Sequence, residues 1–248
     1  MICAANWKMN MGVEAGESFL REFKNILQKG EEKHFLFFPP AFLSFLFVQE
    51  NLYWGGQNVF FQKNGAWTGE NSPEVLKELS AQFCLLGHSE RRLIFGETEE
   101  DIEKKFHLLR SLNILPVLCV GEKDSERNQK DQILRKQLNF LKKTDLKVDP
   151  KKPMGPKDYE EVPFIVAYEP VWAIGSGKTP SANEINEIHQ MIKNILPLNN
   201  IPVLYGGSVT ENNAASFGRE PDVDGFLVGG ASLKADSFYS IFQAGKNA

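Results

Sequence analysis

Three side chains able to move a proton or hold a charge sit where apolar runs stop abruptly: Lys8, His88 and Glu169. Lys8 follows Asn6-Trp7 at the end of the run 2–5. His88 lies between Gly87 and Ser89-Glu90-Arg91, and Glu169 stands between the run 164–168 and Pro170. A carboxylate at the end of an apolar strand is partly stripped of water, which raises its proton affinity and makes it a better base. A histidine where a strand turns into a helix feels the positive end of the helix dipole, which disfavours a second ring proton. Two glycine pairs complete the set. Gly206-Gly207 precedes Ser208, whose following residues read as a helix start, and Gly229-Gly230 precedes Ala231-Ser232-Leu233, which reads as a short helix. Glycines there let backbone N–H groups close on an anion such as phosphate. Taken singly, each feature has a plainer reading: a surface cation, a structural ion pair, a tight turn. His34, His107 and His189 have no such setting and read as packing or surface residues.

The elements decide whether these groups meet. Short apolar runs recur at 2–5, 35–38, 52–59, 83–87, 115–120, 164–168, 201–205 and 225–228, with helix-patterned stretches between them, notably 14–28, 99–111, 131–142 and 183–195. Continuous apolar runs fit parallel strands buried on both faces, and intervening helices make βα units. Eight units in 248 residues predict one domain over 1–248, an α/β closed (β/α)8 barrel with roughly thirty residues per unit. An open doubly wound sheet would carry a glycine-rich turn after its first strand, where this chain has Asn6-Trp7-Lys8. In a barrel the carboxyl ends of the strands converge on one mouth, and Asn6, Lys8, His88, Ser89, Glu90, Cys119, Glu169 and the glycine pairs all fall there. Residues 143–162, rich in Lys and Pro, break the rhythm and predict an exposed insertion before the sixth strand.

The net charge of -4, with 42% hydrophobic and 24% charged residues, describes an ordinary globular chain. It argues against nucleic acid or an anionic membrane as partner, since both favour a basic excess. Apolar stretches are broken by Pro39 and Pro40 and are too short to span a bilayer, and no secretory signal is expected at the start. Three cysteines without CxxC spacing predict neither a disulfide framework nor a zinc site, and point to the reducing cytoplasm.

At this level of detail the chain resembles the triosephosphate isomerase family. NWKMN (6–10), GAWTGE (65–70), LLGHSERR (85–92), PVLCVGE (116–122), AYEPVWAIGSGKTP (167–180), YGGSV (205–209) and DVDGFLVGGASLK (222–234) match that family's motifs in order and span nearly the whole chain. The resemblance implies a TIM barrel that interconverts dihydroxyacetone phosphate and glyceraldehyde 3-phosphate, with no cofactor and no metal. It implies Glu169 as general base, His88 as the electrophile that polarises the carbonyl, Lys8 as the cation facing the enediolate, Asn6 as a substrate-orienting group and Glu90 as a partner of Lys8 or its neighbours. The neutral histidine and tuned glutamate of this enzyme are a known case of environment setting proton affinity. Gly175, Ser208, Gly229 and Gly230 are implied to hold the phosphate. Val171, Trp172, Ala173, Ile174, Gly175, Ser176, Gly177, Lys178 and Thr179 resemble the lid that shields the intermediate from water. Trp67 and Thr68 fall in the loop that enters a second subunit, so a homodimer is implied.

Pro180 is a departure. Many family members have there a residue whose N–H bonds the tyrosine matching Tyr205, and proline has no N–H to give. Among rival readings, Gly175-Ser-Gly-Lys-Thr179 looks like the end of a P-loop, but the required first glycine is Trp172. Another phosphate-binding barrel, an epimerase or a Schiff-base aldolase, would need a His/Asp metal cluster or a lysine deep in the barrel. A barrel that keeps the fold without activity is the remaining alternative.

Overall fold

The apolar runs form β1 (Ile2–Asn6), β2 (Phe35–Phe38), β3 (Tyr53–Gly56), β4 (Phe83–Leu86), β5 (Leu115–Val120), β6 (Ile165–Tyr168), β7 (Val203–Tyr205) and β8 (Gly225–Val228). All pair in parallel and in sequence order, and β8 returns to β1 through the register Ala5 to Val228, closing a (β/α)8 barrel in one α/β domain. The computed structural model describes residues 1–48, 50–148, 156–173 and 179–248.

Period-two side-chain alternation sorts each strand between two cores. Ala4, Leu36, Phe38, Leu85, Val117, Ala167 and Leu204 fill the barrel, while Cys3, Ala5, Phe35, Phe37, Val166 and Val203 face the helices. Both faces are dry, which is why the strands read as unbroken apolar runs.

The helices are α1 (Val13–Ile26), α2 (Phe45–Val48), α3 (Pro73–Glu78), α4 (Ser89–Ile94), α5 (Glu99–Ser111), α6 (Lys130–Gln137), α7 (Ala182–Ile195), α8 (Ala214–Gly218) and α9 (Ala235–Lys246). Local chemistry sets their ends. Thr98 and Asp101 form a reciprocal capping box at α5, and Ser181 and Glu184 form one at α7. On α7 the stripe Ile185, Ile188, Ile192 and Ile195 is buried against the barrel. At the other end of the chain, the Glu31 carboxylate ties down α9, accepting from Tyr239 Oη (2.9 Å), Gln243 Nε2 (3.1 Å) and Lys246 Nζ (3.0 Å). No helix among the described residues is long and apolar enough to cross a membrane.

The stretch expected as one helix over 131–142 is divided into α6 and a 3-10 segment, Asn139–Lys143. Within 143–162 the described residues are mostly exposed, with Leu146 and Tyr159 buried. Tyr159 turns under the amino ends of β3 and β4. Its ring packs on Phe83 (5.3 Å between centroids) and Tyr53 (6.1 Å), and its hydroxyl donates to the Lys33 carbonyl (2.9 Å). A segment of loop composition thus supplies an aromatic plug for the floor of the barrel.

Candidate active site

The carboxyl ends of β1, β4, β6, β7 and β8 surround one cavity of about 300 Å³, lined by Asn6, Lys8, His88, Glu169, Gly206, Gly207, Ser208, Gly229 and Gly230. Residues up to 224 positions apart in sequence therefore share one space, as the strand-end reading expected.

At β1, Lys8 has φ of 51°, a left-handed backbone that costs a non-glycine residue on the order of 1–3 kcal/mol. Its neighbours over-determine it. The Lys8 N–H donates to Asn6 Oδ1 (3.0 Å), and Gln57 Nε2 donates both to the Lys8 carbonyl (2.8 Å) and to the Phe38 carbonyl (2.8 Å). The ammonium reaches Glu90 Oε1 at 2.8 Å, one of the pairings the resemblance left open for Glu90.

At β4, Gly87 turns with φ of 64° so that His88 can cap α4. Arg92 fastens this turn, donating from Nε to the Gly87 carbonyl (2.6 Å) and from Nη2 to the Cys119 carbonyl (3.1 Å). His88 Nδ1 accepts the Glu90 N–H (3.2 Å), so that nitrogen carries no proton and Nε2 carries the one the neutral ring has. Nε2 lies 2.9 Å from Glu169 Oε1.

At β6, Glu169 is 2% exposed, and its second oxygen accepts the Ser89 N–H at 2.8 Å. Glycines flank it by steric need. A Cβ on Gly121 would fall 1.8 Å from the Glu169 carbonyl oxygen, and one on Gly206 would fall 2.9 Å from its Cγ. Burial pushes the Glu169 carboxyl up, but His88, the Ser89 N–H and Lys8 together outweigh it and hold the group below its ordinary value. Burial pushes His88 down, and the Glu169 carboxylate more than reverses that, leaving the ring raised. The helix-end argument alone pointed to a ring that resists protonation. Here the facing carboxylate wins, because it stands at hydrogen-bond distance.

The glycine turns only partly match expectation. Gly230–Leu233 forms a short 3-10 helix after β8, as read. No helix starts at Ser208; α8 begins at Ala214. The polar side chains of this segment are used in a turn instead: Ser208 Oγ donates to the Ala173 carbonyl (2.7 Å), and Asn213 Oδ1 accepts the Thr210 N–H (2.7 Å). The β7 side of the cavity therefore offers turn amides without a helix dipole behind them.

Of the expected lid, Val171–Ala173 is a 3-10 turn. Trp172 Nε1 donates to Glu122 Oε1 (3.0 Å), the Tyr168 hydroxyl donates to the same carboxylate, and the Arg127 guanidinium lies 4.0 Å over the Trp172 ring. Ile174, Gly175, Ser176, Gly177 and Lys178 lie outside the described residues, among them the expected phosphate ligand Gly175; Thr179 is exposed and Pro180 buried. The Tyr205 hydroxyl is buried and has no hydrogen-bond partner among the described residues. Removing it leaves no described group unpaired. Tyr205→Phe is accordingly expected to keep kcat within about threefold, and a hundredfold loss in a steady-state assay would refute the reading.

Trp67 and Thr68 are exposed, with the Trp67 ring 4.7 Å from that of Phe60. Sequence reasoning gave no role to Gln57, Arg92 or Glu122. Gln57 and Glu122 had a usable signal, since each is the first polar side chain beyond the end of an apolar strand. Arg92 had none, because two of its three partners are main-chain carbonyls and the third, Glu99, is one acid among several nearby.

Comparison with known proteins agrees with this geometry. The sequence matches the Triosephosphate isomerase family over residues 1–245. It is 41% identical to the triosephosphate isomerase of Bdellovibrio bacteriovorus, covering 97% of this chain and 98% of that protein. It is 36% identical to that of Buchnera aphidicola subsp. Schizaphis graminum (98% and 96% covered) and 38% identical to that of Gloeobacter violaceus (97% and 96%). With the barrel closed, the strand-end residues gathered and the match running from end to end, the chain belongs to the triosephosphate isomerase family.

Proposed function

We propose that Glu169, His88 and Lys8 carry out, in this chain, the aldose–ketose isomerisation of triose phosphates that defines its family. The observation that supports this best is the buried Glu169 carboxylate, 2.9 Å from a histidine Nε2, on the same cavity as an ammonium group and two glycine turns. Glu169 takes a carbon-bound proton next to the substrate carbonyl and returns it to the neighbouring carbon. The His88 Nε2–H now points at Glu169, and a substrate oxygen placed there receives that hydrogen bond as the carboxylate turns to the carbon. When Glu169 becomes protonated, the charge that raised His88 is gone, and burial with the Glu90 N–H favours the neutral ring. Lys8 balances the enediolate charge, Asn6 holds the Lys8 backbone, and Glu90 positions the ammonium. Gly229, Gly230 and Ser208, joined by Gly175, hold the phosphate, and 171–179 act as lid. No cofactor or metal enters this scheme. A coupled assay from glyceraldehyde 3-phosphate to dihydroxyacetone phosphate tests it, and purified chain without turnover would reject it.

A homodimer in the cytoplasm belongs to the same reading. Met9 is 97% exposed and, with the exposed Val75 and Phe95, lines a cavity that also holds Lys8; Phe42, 93% exposed, and Trp67 add to the apolar surface that a second copy would cover. All three cysteines are free and buried, in keeping with a reducing compartment. Sedimentation should give twice the chain mass. Thr68→Arg is expected to yield monomer with turnover reduced by at least about tenfold.

A further inference from the structure

Glu169 stands between two cavities. In front is the 300 Å³ space holding Lys8 and the glycine turns. Behind it a second cavity of about 190 Å³ opens between the loops after β4 and β5, with Ser89, Arg92, Glu97, Glu99 and Gln137 on its wall. Among the described residues, Glu169 is the one lining both.

The rear cavity is polar and leads outward. Ser89, whose N–H holds Glu169 Oε2, forms part of it. Glu97 Oε2 and Glu99 Oε2 are buried and accept no hydrogen bond among the described residues; Arg91 Nε stands 3.7 Å from the Glu97 oxygen. Carboxylate oxygens in that condition are costly unless water serves them, and the cavity has room for several molecules. Its rim carries the exposed Lys123 and Lys136, which places the far end at bulk solvent.

We propose that the rear cavity is a water-filled proton path through which Glu169 exchanges its catalytic proton with solvent while substrate occupies the front. This rests on Glu169 being the base. After abstraction, Glu169 is a neutral carboxylic acid. In D2O its proton passes to a water in the rear cavity as a deuteron passes back to the same carboxylate. Charge is unchanged, and the deuteron then goes to the neighbouring carbon.

Ile133 on α6 lines the rear cavity and not the front one, so Ile133→Phe narrows the path, while Glu99→Gln puts an amide nitrogen at one of its two unserved carboxylate oxygens and keeps an oxygen for Arg92, the partner of Glu99 Oε1. Glyceraldehyde 3-phosphate is converted in D2O with the ketose product reduced as it forms, and deuterium at its carbon 1 is read by mass spectrometry. Both variants are expected to keep kcat within about threefold while deuterium incorporation falls by about threefold or more. Unchanged incorporation in either active variant overturns the path, as does a parent product free of deuterium. Should Ile133→Phe fail to fold, Glu99→Gln decides alone. A parent chain that does not isomerise at all instead refutes the base assignment beneath the proposal.

Discussion

Glu169→Asp is expected to lower kcat by at least about a hundredfold while leaving KM within a few-fold, because the change moves the base without removing it. The carboxylate is positioned from three sides. Ser89 N–H and His88 Nε2 hold its two oxygens at 2.8 and 2.9 Å, and Gly121 and Gly206 let the neighbouring loops press against its backbone and Cγ. Those contacts prevent the main chain from advancing to make up for a missing methylene. The pH profile carries the same assignment. The reaction needs the ionised carboxylate, and His88, the Ser89 N–H and Lys8 hold Glu169 below its ordinary range against the upward push of burial. The acid limb of kcat/KM for the parent therefore falls below the usual carboxylate value, and activity is lost as pH drops through it. Steady-state rates for both proteins across the acid range check this. A variant within about tenfold of the parent would remove Glu169 from the chemistry.

The fold was legible because its signal is redundant. Runs such as 35–38 and 115–120 are apolar at every position, since both faces of a barrel strand are dry, and each βα unit repeats the statement. Where the structure departed, one residue carried the information. Tyr159 sits among lysines, acids and prolines, and nothing in that composition says that its ring closes the barrel floor. At Ser208 the letters fit a helix cap, but the hydroxyl is drawn to the Ala173 carbonyl, and a tertiary contact overrides the local preference.

The candidate site was legible at the strand ends and less so behind them. Lys8, His88 and Glu169 could be found because the barrel rule says where to look. The state of the pair could not, because the raised His88 and lowered Glu169 come from a distance between residues 81 apart in sequence. Lys104 and Lys105 make the same point. They are adjacent and chemically identical. Lys104 makes an exposed i,i+4 pair with Glu100, whereas Lys105 falls on the buried stripe with Ile102, Phe106 and Leu109.

That buried lysine sets the largest expected stability effect. Lys105 is 3% exposed, and its ammonium pairs with the Glu97 carboxylate, itself 2% exposed at the side chain, and with Asn58 Oδ1 at 2.9 Å. Glu97→Gln keeps the shape and removes the charge, leaving an ammonium group deep in the protein with neutral partners. Breaking such a pair on one side costs about 3–5 kcal/mol, because the surviving charge has lost its water without compensation. For a chain of this size that corresponds to a fall in Tm of roughly 6–20 °C, read by circular dichroism at fixed protein concentration. Replacing both partners separates charge from packing. Glu97→Leu with Lys105→Met leaves no buried ion and is expected to recover most of the loss, whereas each single change does not. If Glu97→Gln melts within about 1 °C of the parent, the ammonium is being served by water from the adjoining rear cavity, and the pair is not what holds this flank of the barrel together.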